Sequence, residues 1–72
     1  MTEFTADEVA FFENEGWDEC TGPARQGDGF ESGSTVITKS APGSFSVWVF
    51  NPYDGCHCFE RDFDSVEEAA AW

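Results

Sequence analysis

One stretch near the middle of the chain, Ser44 to Phe50, is its longest unbroken run of residues that favour β-structure. Valine and aromatic side chains suit a pleated, half-buried surface, so this run predicts a strand. Alternation places three apolar side chains on one face and two aromatic ones on the other: Phe45, Val47 and Val49 against Trp48 and Phe50. Because both faces are apolar, we expect this strand to have a neighbouring strand on each side.

Turn signals on both sides of this stretch predict those neighbours. Ala41-Pro42-Gly43-Ser44 has proline second and glycine third, as a type II turn requires, and a β-branched run before it predicts a strand over 34–39. Residues 51–55 are a second turn cluster, so we expect another strand over 56–63. Its two phenylalanines mark one face as the core face. Alternation then puts His57, Phe59, Arg61 and Phe63 on that face, and Cys56, Cys58, Glu60 and Asp62 on the opposite one.

The first helix is predicted near the N-terminus by the spacing of its capping residues. Thr5 and Glu8 form the pattern of a capping box, and Gly16 offers a stop, so we expect a helix over 6–15. Phe4 before the cap would pair with Val9 as a hydrophobic staple. We expect this helix to bury Val9, Phe12 and Ala6.

The remaining segments complete the predicted fold. Residues 17–21 predict a short strand, whereas residues 22–33 hold four glycines and predict a loop with Phe30 as its anchor in the core. A last helix is predicted to start at Asp64 or Ser65. The predicted fold is therefore α+β, a single domain over 1–72 with a helix, a three- to four-stranded antiparallel meander and a C-terminal helix.

The charge of the chain is far from balanced. Three lysine and arginine residues stand against fifteen aspartate and glutamate residues, which gives a net charge of −12 over 72 residues. Self-repulsion at this density opposes a compact fold, so the charge has no origin in folding itself. Such a field repels nucleic acid and anionic membranes and attracts basic surfaces. We therefore expect no direct nucleic-acid partner and no membrane partner.

The acidic residues cluster towards the two ends of the chain, around a hairpin region without any acid between residues 32 and 53. Carboxylates recur about every 6.6–6.8 Å on one face of a strand and about every 5–6 Å along a helix, so rows of them could imitate DNA phosphates. The alternative is a solvated surface that only keeps the protein soluble. The candidate partner-binding acids are Asp7, Glu8, Glu13, Glu15, Asp18, Glu19, Glu60, Asp62, Asp64, Glu67 and Glu68.

Aromatic side chains form a second candidate site of a different class. Trp and Tyr are favoured anchors of protein interfaces, so Trp48 and Tyr53 could bind a partner protein or a second copy of the chain. This reading describes a small structural or regulatory interaction module. The alternative is that the helices and the long loop cover these rings.

The three cysteines and the single histidine do not form a convincing site. The N-terminus lacks a leader-like pattern and the cysteine count is odd, so we expect free thiols in a reducing cytoplasm. Cys56 and His57 point to opposite faces of a strand, which argues against zinc and against Cys–His catalysis. A contact between Cys20 and Cys56 or Cys58 stays open. We expect no catalytic residue, no metal and no cofactor, and thus no enzyme.

A small, strongly acidic α+β chain of this kind resembles the DNA-mimic inhibitors of phages and mobile elements, which include anti-CRISPR and anti-restriction proteins. The resemblance lies in size, in charge and in the clusters at residues 3–19 and 60–68, rather than in a motif. It implies a non-enzymatic inhibitor, acting in the host cytoplasm if phage-encoded, that blocks the DNA-binding site of a CRISPR effector or restriction complex. The basic groove of such a target would pair with these carboxylates as it pairs with phosphates.

Overall fold

The computed structural model describes residues 3–22 and 27–72, which form one helix, five antiparallel strands and a short second helix. In chain order these are α1 (Ala6–Asn14), β1 (Asp18–Thr21), β2 (Asp28–Ser32), β3 (Thr35–Ala41), β4 (Ser44–Asn51), β5 (Cys56–Phe63) and α2 (Val66–Ala71). The strands form one sheet in the order β1-β2-β3-β4-β5. The predicted α+β meander between two helices is confirmed, but the predicted count of three to four strands is wrong.

The strand predicted from residues 44–50 is β4, and it pairs with β3 on one side and with β5 on the other. Its turn to β3 is the predicted one: Gly43 has a φ of 76°, which the third position of a type II turn requires. In the register of this hairpin Ile37 lies opposite Val47. Both side chains are fully buried, so the hairpin provides the centre of the core.

The strand that sequence analysis missed is β2, which lies inside the segment predicted as a loop. Gly29 within this strand, and Gly27 and Gly33 directly before and after it, lower the strand propensity and hide the alternation. Close packing explains the glycine at position 29, because a Cβ there would lie 2.9 Å from the backbone oxygen of Ile37. Phe30 is only 2% exposed, so its predicted role as an anchor in the core is confirmed.

The predicted capping box begins α1. The Thr5 N–H donates to Glu8 Oε1 (2.7 Å), and the Glu8 N–H donates to Thr5 Oγ1 (3.2 Å). Phe12 is fully buried and Val9 partly so, but Ala6 is exposed and its predicted burial is wrong. The capping residues therefore fix where the helix starts, as the sequence predicted.

The end of α1 is a Schellman motif built on Gly16, whose φ is 82°. The Gly16 N–H donates to the Glu13 carbonyl, and the Trp17 N–H donates to the Phe12 carbonyl (2.9 Å). The rings of Phe12 and Trp17 meet edge to face at 5.4 Å, which supplies the apolar contact typical of this motif. The motif turns the chain from α1 directly into β1.

Both helices pack against one face of the sheet. The buried residues there come from both helices and three strands: Phe12, Phe30, Ile37, Phe45, Val47, Val66 and Ala69. Phe12 stacks on Phe30 at 4.5 Å between ring centroids, and Phe4 packs against both rings. The opposite face, which we call the open face, has neither helix over it. No helix in the described ranges is long and apolar enough to cross a membrane.

A β-bulge divides β5. Val47 lies opposite Arg61 and Trp48 lies opposite Phe59, so Glu60 is an extra residue that opposes no partner of its own. A bulge of one residue changes which face the side chains beyond it occupy, because side chains alternate with a period of two.

The bulge makes the predicted faces of β5 wrong. Arg61 and Phe63 lie opposite Val47 and Phe45 on the helix side, as predicted, but His57 and Phe59 lie on the open face. The residues predicted on the face opposite the core are divided between the two faces as well. Cys58 lies opposite Val49 on the helix side, whereas Asp62 lies opposite Ser46 on the open face. Strict alternation therefore failed at Glu60.

Candidate partner-binding site

The two acidic clusters of the sequence meet at a groove between the first turns of α1 and α2. This groove has a volume of about 310 Å³, and its apolar lining includes Phe11 and Phe45. Carboxylates from both ends of the chain border it: Asp7, Glu8, Asp64 and Glu67. A second groove of about 220 Å³ shares Phe11 and Glu67 and adds Glu15. We call the two together the acidic groove.

Three acids of this groove lie in the first turn of a helix, whereas a fourth, Glu15, is the C-cap of α1. Asp7 and Glu8 are in the first turn of α1, and Glu67 is in the first turn of α2, which is capped by Ser65. Carboxylates at these positions interact favourably with the unpaired N–H groups and with the helix dipole. Both helices start near the same groove. The acidic residues that favour the start of each helix are therefore brought close to one another.

Glu8 differs from its neighbours because its carboxylate is already bound within the fold. Lys39 Nζ donates to Glu8 Oε1 at 2.7 Å, and the same oxygen accepts the Thr5 N–H. Burial raises the pKa of the Glu8 carboxyl, but the bonds from Lys39 and Thr5 and the charge of Lys39 outweigh it, so the pKa lies below its ordinary value. We assign Glu8 to the fold, which leaves Asp7, Glu15, Asp64 and Glu67 as the available carboxylates of the groove.

The other predicted acids are exposed but lie away from this groove. Glu13 and Glu68 lie on the helices, Asp18 lies opposite Glu31 at the β1 edge, and Glu19 borders a separate cavity with Glu3 and Asp28. Asp62 accepts a 2.6 Å hydrogen bond from Ser46 Oγ. The alternation that predicted Glu60 and Asp62 on one face fails here, because Glu60 is the extra residue of the bulge.

Positive charge within the described ranges offsets little of this acidity. Lys39 and Glu8 form the only ion pair among residues 3–22 and 27–72. The guanidinium of Arg61 lies over the Phe63 ring, 4.8 Å from its centroid. Most of the negative charge of the acidic groove is therefore not neutralised within the described residues and can attract an external partner.

Four rings on β4 and β5 form a second surface, on the open face. Trp48 contacts Phe59, and Phe50 contacts His57, each pair edge to face at 5.5 Å. Phe50 is 40% exposed and Phe59 is 51% exposed. We call Trp48, Phe50, His57 and Phe59 the aromatic patch. Sequence analysis found Trp48 but missed Phe59, because strict alternation had placed Phe59 in the core.

Tyr53, the second predicted aromatic anchor, lies in the turn between β4 and β5 and is 96% exposed. Its N–H donates to the Asn51 side chain, which fixes the turn. The ring of Trp48 is instead paired with Phe59. The structure thus includes Trp48 in a cluster of rings and leaves Tyr53 in solvent.

The cysteines lie too far apart for the contact that the sequence left open. Cys20 is on β1 and Cys56 and Cys58 are on β5, at opposite edges of the five-stranded sheet, and all three are free. Four strand spacings of about 4.8 Å separate these edges, which no disulfide spans. Within the described part of the chain, no three His, Cys, Asp or Glu side chains are grouped to hold a metal ion.

Comparison with protein-family models, curated proteins and solved structures found no match. Function is therefore inferred from the surfaces of this chain alone. The acidic groove and the aromatic patch lie on opposite sides of the sheet, so variants can test them separately.

Proposed function

We propose that this protein is a non-enzymatic inhibitor that binds the basic, DNA-contacting surface of a nuclease or CRISPR effector through its acidic groove. The observation that supports the proposal is the convergence of acids from residues 7–15 and 64–67 around one groove. Charge that only maintains solubility works best when it is spread out, because self-repulsion opposes its concentration. A concentrated acidic groove is better explained by a basic partner.

The chemistry of the groove suits lysine and arginine side chains. Asp7 and Glu67 come from different helices, so a basic side chain between them would meet carboxylates from two directions. Phe11 adds an apolar wall, and contact with it removes water from the pairs and strengthens them. A surface that binds phosphates in DNA offers such cations in rows, and the carboxylates would compete for them.

A competition assay tests this proposal. The protein is titrated into purified CRISPR effectors and restriction enzymes, each holding a labelled duplex with its target site, and release of the duplex is followed by fluorescence anisotropy. We expect at least one enzyme to lose its DNA at a stoichiometric amount of inhibitor. The effect should weaken as salt is raised, because the Debye length falls from about 10 Å at 0.1 M to about 3 Å at 1 M.

Two double variants with the same change in charge separate the groove from general acidity. Asp7→Lys with Glu67→Lys reverses charge at the groove, whereas Asp28→Lys with Glu60→Lys reverses it elsewhere on the surface. We expect the first variant to lose inhibition and the second to retain most of it. Equal losses would show that only net charge matters. If all enzymes keep their DNA in the presence of the wild type, the proposal fails.

A further inference from the structure

The open face of the sheet offers a second interaction surface. We propose that it docks a basic amphipathic helix of a partner protein, with the helix's apolar stripe on the aromatic patch. The patch combines Trp48, which is partly buried, with Phe50 and Phe59, which are 40% and 51% exposed. Both helices cover the other face of the sheet, whereas no helix covers these rings. Val36, Thr38 and Ser46 on the open face are buried, so the exposed apolar surface of this face is the patch itself. A sheet with an apolar face gains stability by burying it against another layer.

Carboxylates flank the patch on the same face. The strand register runs from Asp18 through Glu31, Val36 and Trp48 to Phe59, which places two acids beside three apolar residues in one row across the sheet. Asp62 lies in the next row, opposite Ser46. A helix that covers the rings would therefore bring its flanking side chains near negative charge across the sheet on β2 and β1, and near Asp62 further along β5. Lys and Arg are the side chains that fit these positions.

The two acids at the β1 side are in a position that costs the free protein stability. Asp18 lies directly opposite Glu31, at the spacing of about 4.5–5.5 Å between paired Cα atoms. Like charges directly opposite each other on a sheet destabilise it. A lysine or arginine from the partner would offset this repulsion. Binding of a basic partner would therefore be more favourable than binding of a neutral one.

Hydrogen bonds hold the patch in a fixed arrangement before any partner arrives. Trp48 Nε1 donates to Thr38 Oγ1 at 2.9 Å, and Ser46 Oγ donates to Asp62 Oδ1 at 2.6 Å. Both bonds run across neighbouring strands of the open face. The indole and one flanking carboxylate are therefore oriented in the free protein, which lowers the entropy cost of docking.

Two other occupants fit the surface less well. A strand added to the β5 edge would meet the bulge at Glu60 and the charges of Arg61 and Asp62, and such features block edge pairing. A second copy of the chain would bring another net charge of −12 against the first. Val36 and Thr38 on the open face of β3 are already buried, so the exposed rings lie on β4 and β5. These two strands are about 4.8 Å apart, and a helix about 10–12 Å wide is broad enough to cover both.

The test uses the full chain labelled with ¹⁵N and three synthetic peptides of about 15 residues, long enough to form a helix when bound. The first has leucine along one stripe and lysine elsewhere; the second replaces lysine with glutamate, and the third replaces leucine with serine. We expect only the first to shift the Trp48 indole N–H resonance saturably. The indole resonances of Trp17 and Trp72 serve as internal references that stay in place.

Variants then assign the binding to the patch. Phe59→Ser should weaken the first peptide at least about tenfold, whereas Tyr53→Ser, which removes an exposed ring outside the patch, should leave it unchanged. Asp18→Lys with Glu31→Lys should also weaken it and does not depend on changing a ring. Because the acidic groove is on the other side of the sheet, Asp7→Lys with Glu67→Lys should bind normally.

Three results would overturn the proposal. One is equal binding of the serine peptide, which would reduce the effect to charge alone. Another is a set of shifted resonances centred on α1 and α2 rather than on β4 and β5. The third is a dimer in sedimentation that Phe59→Ser dissociates, which would make a second copy the occupant. The second result would place a basic peptide near the acidic groove, but none of the three results would contradict inhibition through that groove, so the two proposals fail separately.

Discussion

Lys39 Nζ lies 2.7 Å from Glu8 Oε1, and this contact joins the middle strand of the sheet to the first turn of α1. The Lys39 side chain is 4% exposed and that of Glu8 is 18% exposed. The same Glu8 oxygen caps the helix through Thr5. One carboxylate therefore both begins α1 and balances a buried ammonium, in a protein that otherwise has acids in excess.

Loss of the Glu8 carboxylate should destabilise the fold more than loss of its exposed neighbour. We expect Glu8→Ala to lower the free energy of unfolding by about 3 kcal/mol, because it leaves the Lys39 charge buried without a partner. Asp7→Ala is the matched control and should cost less than about 1 kcal/mol. Urea denaturation followed by circular dichroism measures both. Similar losses for the two variants would contradict this role for Glu8.

The lowered pKa of Glu8 predicts how stability depends on pH. A carboxyl whose pKa is depressed in the folded state stabilises the fold above its unfolded pKa of about 4.3, and this stabilisation is lost as pH falls through the folded pKa. Glu8→Gln cannot titrate. The difference in unfolding free energy between wild type and Glu8→Gln should therefore be largest near neutral pH and shrink below about pH 4. If the unfolding free energies of the two proteins change in parallel with pH, the Glu8 carboxyl does not supply this stabilisation.

Gly29→Ala tests why β2 contains glycine. A Cβ there would lie 2.9 Å from the Ile37 oxygen and 3.3 Å from Thr38 Cγ2, so β2 would have to move away from β3. We expect a loss of about 2 kcal/mol of stability, in the range of overpacked sites. Ser32→Ala, at an exposed position in the same strand, should change stability little. Thermal unfolding of the two variants measures both effects. Equal stability of Gly29→Ala and Ser32→Ala would show that β2 has room for a Cβ at position 29.

The repulsion between Asp18 and Glu31 should be reversible by one substitution. Asp18→Lys places opposite charges across β1 and β2 and should stabilise the protein by about 0.5–1 kcal/mol. Glu60→Lys makes the same change of charge at the bulge of β5, where no residue lies opposite it, and should stabilise less. Denaturant unfolding measures the free energy of unfolding of both variants. The difference between the two values should become smaller in high salt, which screens exposed charges.

Thiol labelling provides a further test of the sheet geometry. Burial and the nearby Glu31 charge raise the pKa of the Cys20 thiol, so we expect iodoacetamide to modify it more slowly than the exposed Cys56. Glu31→Gln should speed the labelling of Cys20, whereas Glu13→Gln should not. Mass spectrometry of a labelling time course gives the rates. Unchanged labelling in Glu31→Gln would place that charge too far from the sulfur to act on it.

The sequence by itself determined the elements that depend on near neighbours. The Thr5–Glu8 capping box, the stop at Gly16, the turn at Gly43 and the strand over 44–50 all appear as predicted. Each depends on backbone preferences and on contacts within a few residues, so the local sequence carries the information. The α+β class follows from the order of these elements.

Only the tertiary structure decided which residues meet at the two surfaces. Strand β2, which lies in a glycine-rich segment, forms because β1 and β3 supply its hydrogen bonds, and the bulge at Glu60 appears only in the register between β4 and β5. That bulge puts Phe59 beside Trp48, and the packing of both helices on one face puts Asp7 near Glu67. Strand register and helix packing join residues distant in the chain, because their energies depend on the whole core rather than on local preference.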